Sequence, residues 1–284
     1  MNAGRLKDGR QRSVVSMVTM FLLALLWTLP TLGLLVTSFR TRDAAATSGW
    51  WAALWEGGWT AENYARVFEQ ADLGNAFLNG IAVAVPATII PIMFAAFAAY
   101  AFTFMDFKGK DVLFIIIVAV MVVPIQVAFQ PLLDLLGPRG LGISGQYLAV
   151  WLLHTGFGMP LAIYVLRNYM ASLPYSVVES ARIDGCSNFQ IFWKLIAPMA
   201  MPAMAAFATL QFLWVWNDLL VSAVFGGLKT YPLTYPISNL AGDYGATAYL
   251  VPPAAFVSMV IPLIVFFSLQ RYFVRGLLAG ATKG

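Results

Sequence analysis

The sequence predicts an all-α integral membrane protein with six transmembrane helices. Three observations carry that prediction. The 284 residues are 60% hydrophobic and only 11% charged, whereas soluble domains run about 45–50% apolar and about 25% charged. The mean hydropathy is +0.77, so lipid rather than water is the solvent for most of the chain. The apolar residues also fall in runs of the right length, since a helix needs about 20 of them to cross a hydrocarbon core of about 30 Å. Membrane-spanning strands are about 9–11 residues long with alternating polarity, and these runs are longer and apolar all round.

The runs are Val14–Phe39, Phe77–Phe104, Val112–Leu136, Tyr147–Tyr169, Ala197–Phe225 and Leu250–Phe273. The first follows a basic leader of Arg5, Lys7, Arg10 and Arg12. Its apolar stretch exceeds the roughly 7–15 residues of a signal sequence, so it reads as a retained helix. With the N-terminus cytoplasmic, that side receives twelve of the 17 basic residues: Arg5, Lys7, Arg10, Arg12, Lys108, Lys110, Arg167, Arg182, Lys194, Arg271, Arg275 and Lys283. The other side receives Arg40, Arg42, Arg66, Arg139 and Lys229. The excess of Lys and Arg places both termini in the cytoplasm.

Residues 1–13 then form a cytoplasmic N-terminal segment, 14–39 the first span, 40–76 an extracytoplasmic loop, 77–275 a five-helix core, and 276–284 a cytoplasmic tail. The loop 40–76 carries Trp50, Trp51, Trp55 and Trp59, which predicts a short helix at the membrane surface, where Trp is enriched. The last outer loop, Gly226–Tyr249, is rich in Gly, Pro and Tyr, a composition that disfavours regular structure. No inverted repeat of the secondary-transporter kind is present.

Several chemistries are excluded. One cysteine permits no intrachain disulfide, and with one histidine it leaves no zinc cluster. Cys186 and His154 are assigned to a surface segment and a span, so they cannot form a catalytic pair. No G-x-x-x-x-G-K-[ST] phosphate cradle occurs. The net charge of +4 gives no case for nucleic acid. The chain is expected to have no catalytic residues and no metal site.

The segment between the fourth and fifth spans is long and semi-polar. Pro174 suits a helix start, and Val177, Val178 and Ala181 form an apolar strip at helical spacing. Gly185 breaks the helix, because glycine costs about 1 kcal/mol in a helix interior and readily adopts φ > 0. A second amphipathic stretch, Phe189–Ile196, leads to Pro198. The pattern predicts a helix–turn–helix at about 174–196 on the cytoplasmic face, a docking surface rather than a linker.

These residues resemble the EAA motif of ABC-importer permeases. Glu179-Ser180-Ala181, three residues, Gly185, nine residues and Leu195-Ile196-Ala197-Pro198 keep the spacing, with Glu179, Ala181, Gly185 and Pro198 matching. Ser180, Leu195 and Ala197 depart from the pattern. Arg182-Ile183-Asp184-Gly185 and Trp214-Val215-Trp216-Asn217-Asp218 are similar to the carbohydrate-uptake branch, specifically its maltose-type second permease. The resemblance implies a type I importer fold and a binding-protein-dependent sugar importer. Its implied partners are a second homologous permease subunit, two ATP-binding subunits and an extracytoplasmic sugar-binding protein. ATP and Mg would sit on the partner subunits, with no cofactor in this chain. It further implies that Glu179, Ser180, Ala181, Asp184 and Gly185 belong to the contact with an ATP-binding subunit, Glu179 pairing with an arginine there. The tract from Gly145-Gln146-Tyr147 to Asn168-Tyr169-Met170 looks like that of permeases for α-glucosides such as maltose or trehalose.

Polar residues inside spans read as functional by default. Asp218 is an acidic residue within a predicted span, expected at its outer end within reach of water. It serves either to orient an outer gate or to contact a sugar or ion. Asn217, Gln211 and Gln126, with Gln130, Asn75 and Asn79, are candidates for a cavity wall, and Trp214, Trp151, Phe212 and Trp216 could supply aromatic faces. The same residues suit ordinary interhelical hydrogen bonding, and His154 reads as a packed, hydrogen-bonded residue. In the maltose-type family most intramembrane sugar contact belongs to the other permease, and the loop between the fifth and sixth spans reaches the binding protein. By that resemblance Asn239, Leu240, Ala241, Gly242, Asp243 and Tyr244 are expected nearest the sugar cleft. The rival class is a six-helix secondary transporter or channel.

Overall fold

A computed structural model describes residues 3–227, 229–242 and 247–281, with side chains over 14–227, 229–242 and 247–270. Among these the architecture is all-helical, with one isolated antiparallel bridge between Arg40 and Trp59. Five helices are long and apolar enough to cross a membrane, and a bent pair brings the number to six if it forms one span. The chain divides into two compact units, Met1–Leu73 with Ile237–Val257, and Gly74–Pro236 with Ser258–Gly284.

In the first unit, α1 (Ala3–Ser38) is followed by α2 (Arg42–Thr47), a 3₁₀ turn Trp50–Ala52, α3 (Ala53–Glu56) and α4 (Glu62–Gln70). The expected single surface helix of the loop is therefore a chain of short ones. They are tied together by Arg40, which is fully buried. Its Nη1 donates to the carbonyls of Ser48 and Gly49, both at 2.8 Å, and its Nη2 to Ser48 Oγ. Buried Asn63 donates to the Ser38 and Arg40 carbonyls, fixing α4 against the end of α1.

The second unit contains α5 (Leu73–Phe104), α6 (Lys110–Val120), a 3₁₀ turn Ile125–Ala128, α7 (Phe129–Leu136), α8 (Tyr147–Met170), α9 (Tyr175–Ile183), α10 (Asn188–Ile191), a π turn Phe192–Ile196, α11 (Ala197–Trp216) and α12 (Leu220–Phe225). Then come α13 (Thr234–Gly242), which begins in this unit, and α14 (Val251–Ala281), which ends in it. The packing of α5, α8 and α11 is alanine-rich: Ala95, Ala96, Ala99, Ala162, Ala200 and Ala203 are buried beside Leu166, Ile196 and Phe207. Small residues let helix backbones approach closely where lipid supplies no hydrophobic drive between helices.

Three expectations are corrected. Val112–Leu136 is not one helix: α6 ends at Val120, and the following segment departs at 98°. Pro124 explains the break, since it donates no N–H and pushes the preceding residue out of the α region. The N–H groups of Met121, Val122 and Val123 close short turns onto the Val118, Ala119 and Val120 carbonyls. Next, the fifth span does not begin at Ala197 and run to Phe225. It is continuous from Asn188 to Trp216, so the second amphipathic stretch is its first part rather than a separate helix. The turn before Pro198 widens to π, which makes room for a proline ring that would otherwise strike the carbonyl four residues back. Finally, Gly226–Tyr249 contains a regular element, α13. Pro236 lies in its first turn, where an N–H has no intrahelical acceptor to lose.

Interior prolines recur in these spans, and each frees the carbonyl four residues earlier. In the second unit three of those carbonyls take a side-chain donor from another helix. Pro86 frees Ala82, which accepts from Trp151 Nε1 at 2.9 Å. Pro91 frees Ala87, which accepts from Gln211 Nε2 at 3.2 Å. Pro262 frees Ser258, which accepts from Trp216 Nε1 at 3.0 Å. No side chain takes this role at Pro30, Pro160 or Pro202 among the described residues.

Trp151→Phe should destabilise the folded chain by about 1–3 kcal/mol, the cost of a buried acceptor left unpaired. Pro86→Ala restores a backbone N–H to that acceptor, so the same Trp151→Phe change should cost much less on that background. Thermal unfolding of the four variants in detergent reads the coupling; equal costs on both backgrounds would refute the pairing.

Candidate functional site

The helix–turn–helix is built as its sequence dictates. The N–H of Cys186 bonds to the Ala181 carbonyl and that of Gly185 to Arg182, both at 3.0 Å. That pair of bonds is the Schellman ending, with the residue after the cap left-handed, and Gly185 has φ 77°. Ser187 opens the next helix: its Oγ accepts from Gln190 N and its N–H donates to Gln190 Oε1, a reciprocal capping box. The turn is anchored to the bundle at two points. Arg182 Nη2 donates to the Phe104 carbonyl at the end of α5, and the Tyr100 hydroxyl donates to Asn188 Oδ1 at 3.2 Å.

The five residues assigned to this motif divide between two faces. Val178 and Ala181 are buried against the core shared by α5, α8 and α11, so Ala181 is small for packing inside its own chain. Glu179, Ser180, Asp184 and Gly185 are exposed. Glu179 has no hydrogen bond or ion pair among the described residues. Ile183, one turn beyond it on the same face, is 82% exposed, and Phe189 across the turn is 65% exposed. Neither apolar residue was among the sequence-level candidates. The available signal was their position outside the Val178/Ala181 strip, since an apolar residue off the packing stripe has no partner within its own chain.

At the other end of the long helix, Asn217–Leu219 interrupt the backbone between α11 and α12. Asp218 bridges the interruption. Its Oδ1 accepts from Val221 N at 3.3 Å, and its Oδ2 accepts from Ser222 N at 3.0 Å and Ser222 Oγ at 3.1 Å. Thr234 Oγ1 donates to its backbone carbonyl at 2.7 Å. The side chain is only 8% exposed, which corrects the expectation of a group open to water. His154 on α8 is fully buried with Nε2 3.5 Å from Asp218 Oδ2, close to the carboxylate but beyond the usual reach of a hydrogen bond. Its ring is packed edge-on to Trp214 at 5.4 Å, and neither ring nitrogen has a hydrogen-bond partner, so the expected hydrogen bonding of His154 is absent.

The structure thus gathers Asp218, His154 and Trp214, with Gln211 alongside through its contact to the His154 carbonyl at 3.4 Å. Gln211 is buried and engaged with two backbones, the arrangement of interhelical glue. Asn217 is exposed and donates to the Leu213 carbonyl. Gln126 is exposed in the 3₁₀ turn after the α6 bend and joins none of these contacts. On α13, Asn239, Ala241 and Gly242 are exposed and Leu240 is buried; Asp243 and Tyr244 lie outside the described residues. No group of three His, Cys, Asp or Glu residues fit to hold a metal occurs among the described residues.

Comparison with known proteins places this geometry. Residues 92–278 match the family model described as "Binding-protein-dependent transport system inner membrane component". The chain is 48% identical to the osmoprotective compounds uptake permease protein GgtD of Synechocystis sp., over 94% of this chain and 91% of the relative. It is 40% identical to the alpha-glucoside transport system permease protein AglG of Rhizobium meliloti, over 94% of this chain and 96% of that protein. Among solved structures, a chain of a bacterial ABC transporter involved in import of the acidic polysaccharide alginate superposes with a TM-score of 0.77 at 23% identity. That match covers 94% of this chain and 98% of the other, and it shows a shared fold.

Two outcomes follow from the geometry. Asp218→Asn keeps an acceptor for the α12 donors and should retain most stability and function. Asp218→Leu strands the Val221 and Ser222 N–H groups at about 1–3 kcal/mol each, so its melting temperature should fall well below that of the asparagine variant. Equal melting temperatures would show that the cap is dispensable. Separately, Gly158→Ala should destabilise the protein although alanine favours helix. The new Cβ would lie 2.6 Å from Gln211 Nε2, and displacing that amide breaks its bonds to Ala87 and His154. The same unfolding assay checks it, with a loss of about 1–3 kcal/mol expected.

Proposed function

The chain belongs to the family of binding-protein-dependent transport system inner membrane components, and from that membership we propose that it is one permease subunit of an ATP-driven sugar importer. In this reading it lies in a bacterial or archaeal plasma membrane with both termini cytoplasmic. A second homologous permease completes the translocation path, two ATP-binding subunits supply hydrolysis with their own ATP and Mg, and an extracytoplasmic binding protein delivers the sugar. The observation that carries the reading is the capped helix–turn–helix with unpaired Glu179 beside exposed Ile183 and Phe189. A charged residue free of intrachain partners and flanked by apolar side chains suits insertion into a cleft on another subunit.

The geometry also supports a means of coupling. Asn188–Trp216 is one uninterrupted helix of 29 residues, about 43 Å long at about 1.5 Å per residue. One end is tied to the docking turn and the other to the Asp218 cap, so a tilt imposed at the turn is delivered to the far end of the span. Asn239–Tyr244 is the stretch we assign to contact with the binding protein. For substrate we propose an α-glucoside such as maltose or trehalose, supported by 40% identity to an alpha-glucoside permease. A second reading, an osmoprotective compound, is favoured by 48% identity to a permease of that description.

The test is reconstitution with the cognate subunits and binding protein. Maltose- or trehalose-loaded binding protein should stimulate ATP hydrolysis and uptake, and Glu179→Lys or Gly185→Val should abolish uptake while membrane insertion persists. Stimulation confined to non-carbohydrate osmolytes would reject the sugar reading. Uptake that continues when the ATP-binding subunit's phosphate-binding lysine is replaced would favour a secondary transporter instead.

A further inference from the structure

We propose that His154 and Asp218 form a buried proton-binding pair, a latch that ties α8 to the break between α11 and α12 when His154 carries its second proton. The latch needs no particular solute and lies far along the span from the docking turn. His154 is fully buried, and both of its ring nitrogens lack a hydrogen-bond partner. Buried polar groups are nearly always paired, so an orphaned one marks a contact made in another state of the molecule. Its Nε2 stands 3.5 Å from Asp218 Oδ2. Closure by less than about 1 Å would bring the two atoms to the roughly 2.7–2.9 Å of a charge-assisted bond.

The carboxylate has the matching need. Asp218 accepts from Val221 N, Ser222 N and Ser222 Oγ, the acceptor-only pattern of an ionised carboxyl group. A buried charge favours a counter-charge, and no lysine or arginine is at hand. Helices α5, α11 and α12 contain no Asp, Glu, Lys or Arg. On α8 itself, Arg167 is about 20 Å from His154 at about 1.5 Å per residue, lying over Phe114 of α6. Lys110 and Asp111 open α6 at that same remote end. Asp134 of α7 is exposed and accepts from Gln130, and Lys229 is exposed. Arg271 and Arg275 of α14 lie well beyond Ser258, where that helix meets Trp216. Of the phenols, Tyr147 donates to Asn79, and Tyr231 and Tyr235 stack on one another. Among the described residues, His154 is therefore the group that can supply Asp218 with a positive charge. Imidazole ordinarily gains and loses its second proton between about pH 5 and 8. With that proton, Nε2–H donates to Oδ2 and the two charges compensate; without it, the attraction is lost. Because Oδ2 also holds the first turn of α12, closure joins α8 to α12 across the interruption at Asn217–Leu219.

The experiment uses the full-length chain in detergent, labelled with nitrogen-15 histidine and carrying an affinity tag free of histidine. His154 is the one histidine of the chain, so a single imidazole is read by magnetic resonance. Both ring nitrogens should be protonated at about pH 5.5 and only one at about pH 8. Asp218→Asn should return the ring to its neutral form at the lower pH. A ring that is neutral at both values in the native chain overturns the proposal, as does a ring equally protonated with and without the carboxylate. The second readout is thermal unfolding of the native chain, His154→Gln, Asp218→Asn and the double variant at both pH values. The coupling between the two positions should be worth several degrees in Tm at the lower pH and fade at the higher one. Coupling that is equal at both values, or absent at both, would reduce the contact to packing and overturn the latch.

Discussion

A carbonyl freed inside a membrane has no water to turn to, and that constraint organises the helical bundle. Each unsatisfied backbone group in hydrocarbon costs several kcal/mol, yet this chain places prolines inside five of its spans. At Pro86, Pro91 and Pro262 the exposed acceptor is closed by Trp151, Gln211 or Trp216 from another helix. Each such bond does two things at once. It removes the penalty of the kink, and it fixes the depth at which two helices face each other, because the donor has one carbonyl to reach. Packing of small residues alone would let helices slide by a turn.

The same constraint explains the ends of the long helix. A helix leaves unpaired groups at its termini, and both termini of Asn188–Trp216 are closed by side chains close in sequence: Ser187 and Gln190 at one, and Asn217, which donates to the Leu213 carbonyl, at the other. Closure makes the segment a defined rod rather than one that frays. The π turn at Phe192–Ile196 keeps it continuous past Pro198. A rod with fixed ends transmits displacement; a span that began only at Ala197, as the apolar run alone suggests, would place a hinge between the helix–turn–helix and the span.

Much of this was legible in the sequence, and what was not has a physical cause. Composition and run length gave the helical membrane class, and Pro174, the Val178/Ala181 strip and Gly185 gave the helix–turn–helix, because helix starts and left-handed turns are written in local residue types. Hydropathy failed where polarity and geometry part company. The α6–α7 bend is as apolar as a straight span, so only Pro124 marked it. α13 was hidden because Pro236 breaks helices in their interiors but not in their first turns. The donor to each proline carbonyl was invisible, because the pairing spans 42 to 124 residues and rests on tertiary depth. Asp218 was found as an embedded acid, but its role in capping α12 needs the break at Asn217–Leu219, which apolar Leu219 and Leu220 conceal.

This division also sorts which polar and aromatic residues remain free to act on something outside the chain. Trp151, Gln211 and Trp216 suit a sugar site by residue type, but their donors are committed to backbone carbonyls, and withdrawing them toward a solute would reopen a kinked helix. Asp218 is likewise committed to two N–H groups and a hydroxyl. Glu179, Ile183, Phe189 and Asn239 carry no such obligation: they are exposed and can change partners without loss to the fold. They lie on the helix–turn–helix and on α13. In the second unit the interior donors are occupied with holding the chain's own prolines in register. A chain of this construction spends its interior side-chain donors on its own backbone, and leaves its exposed side chains as the ones without such a commitment.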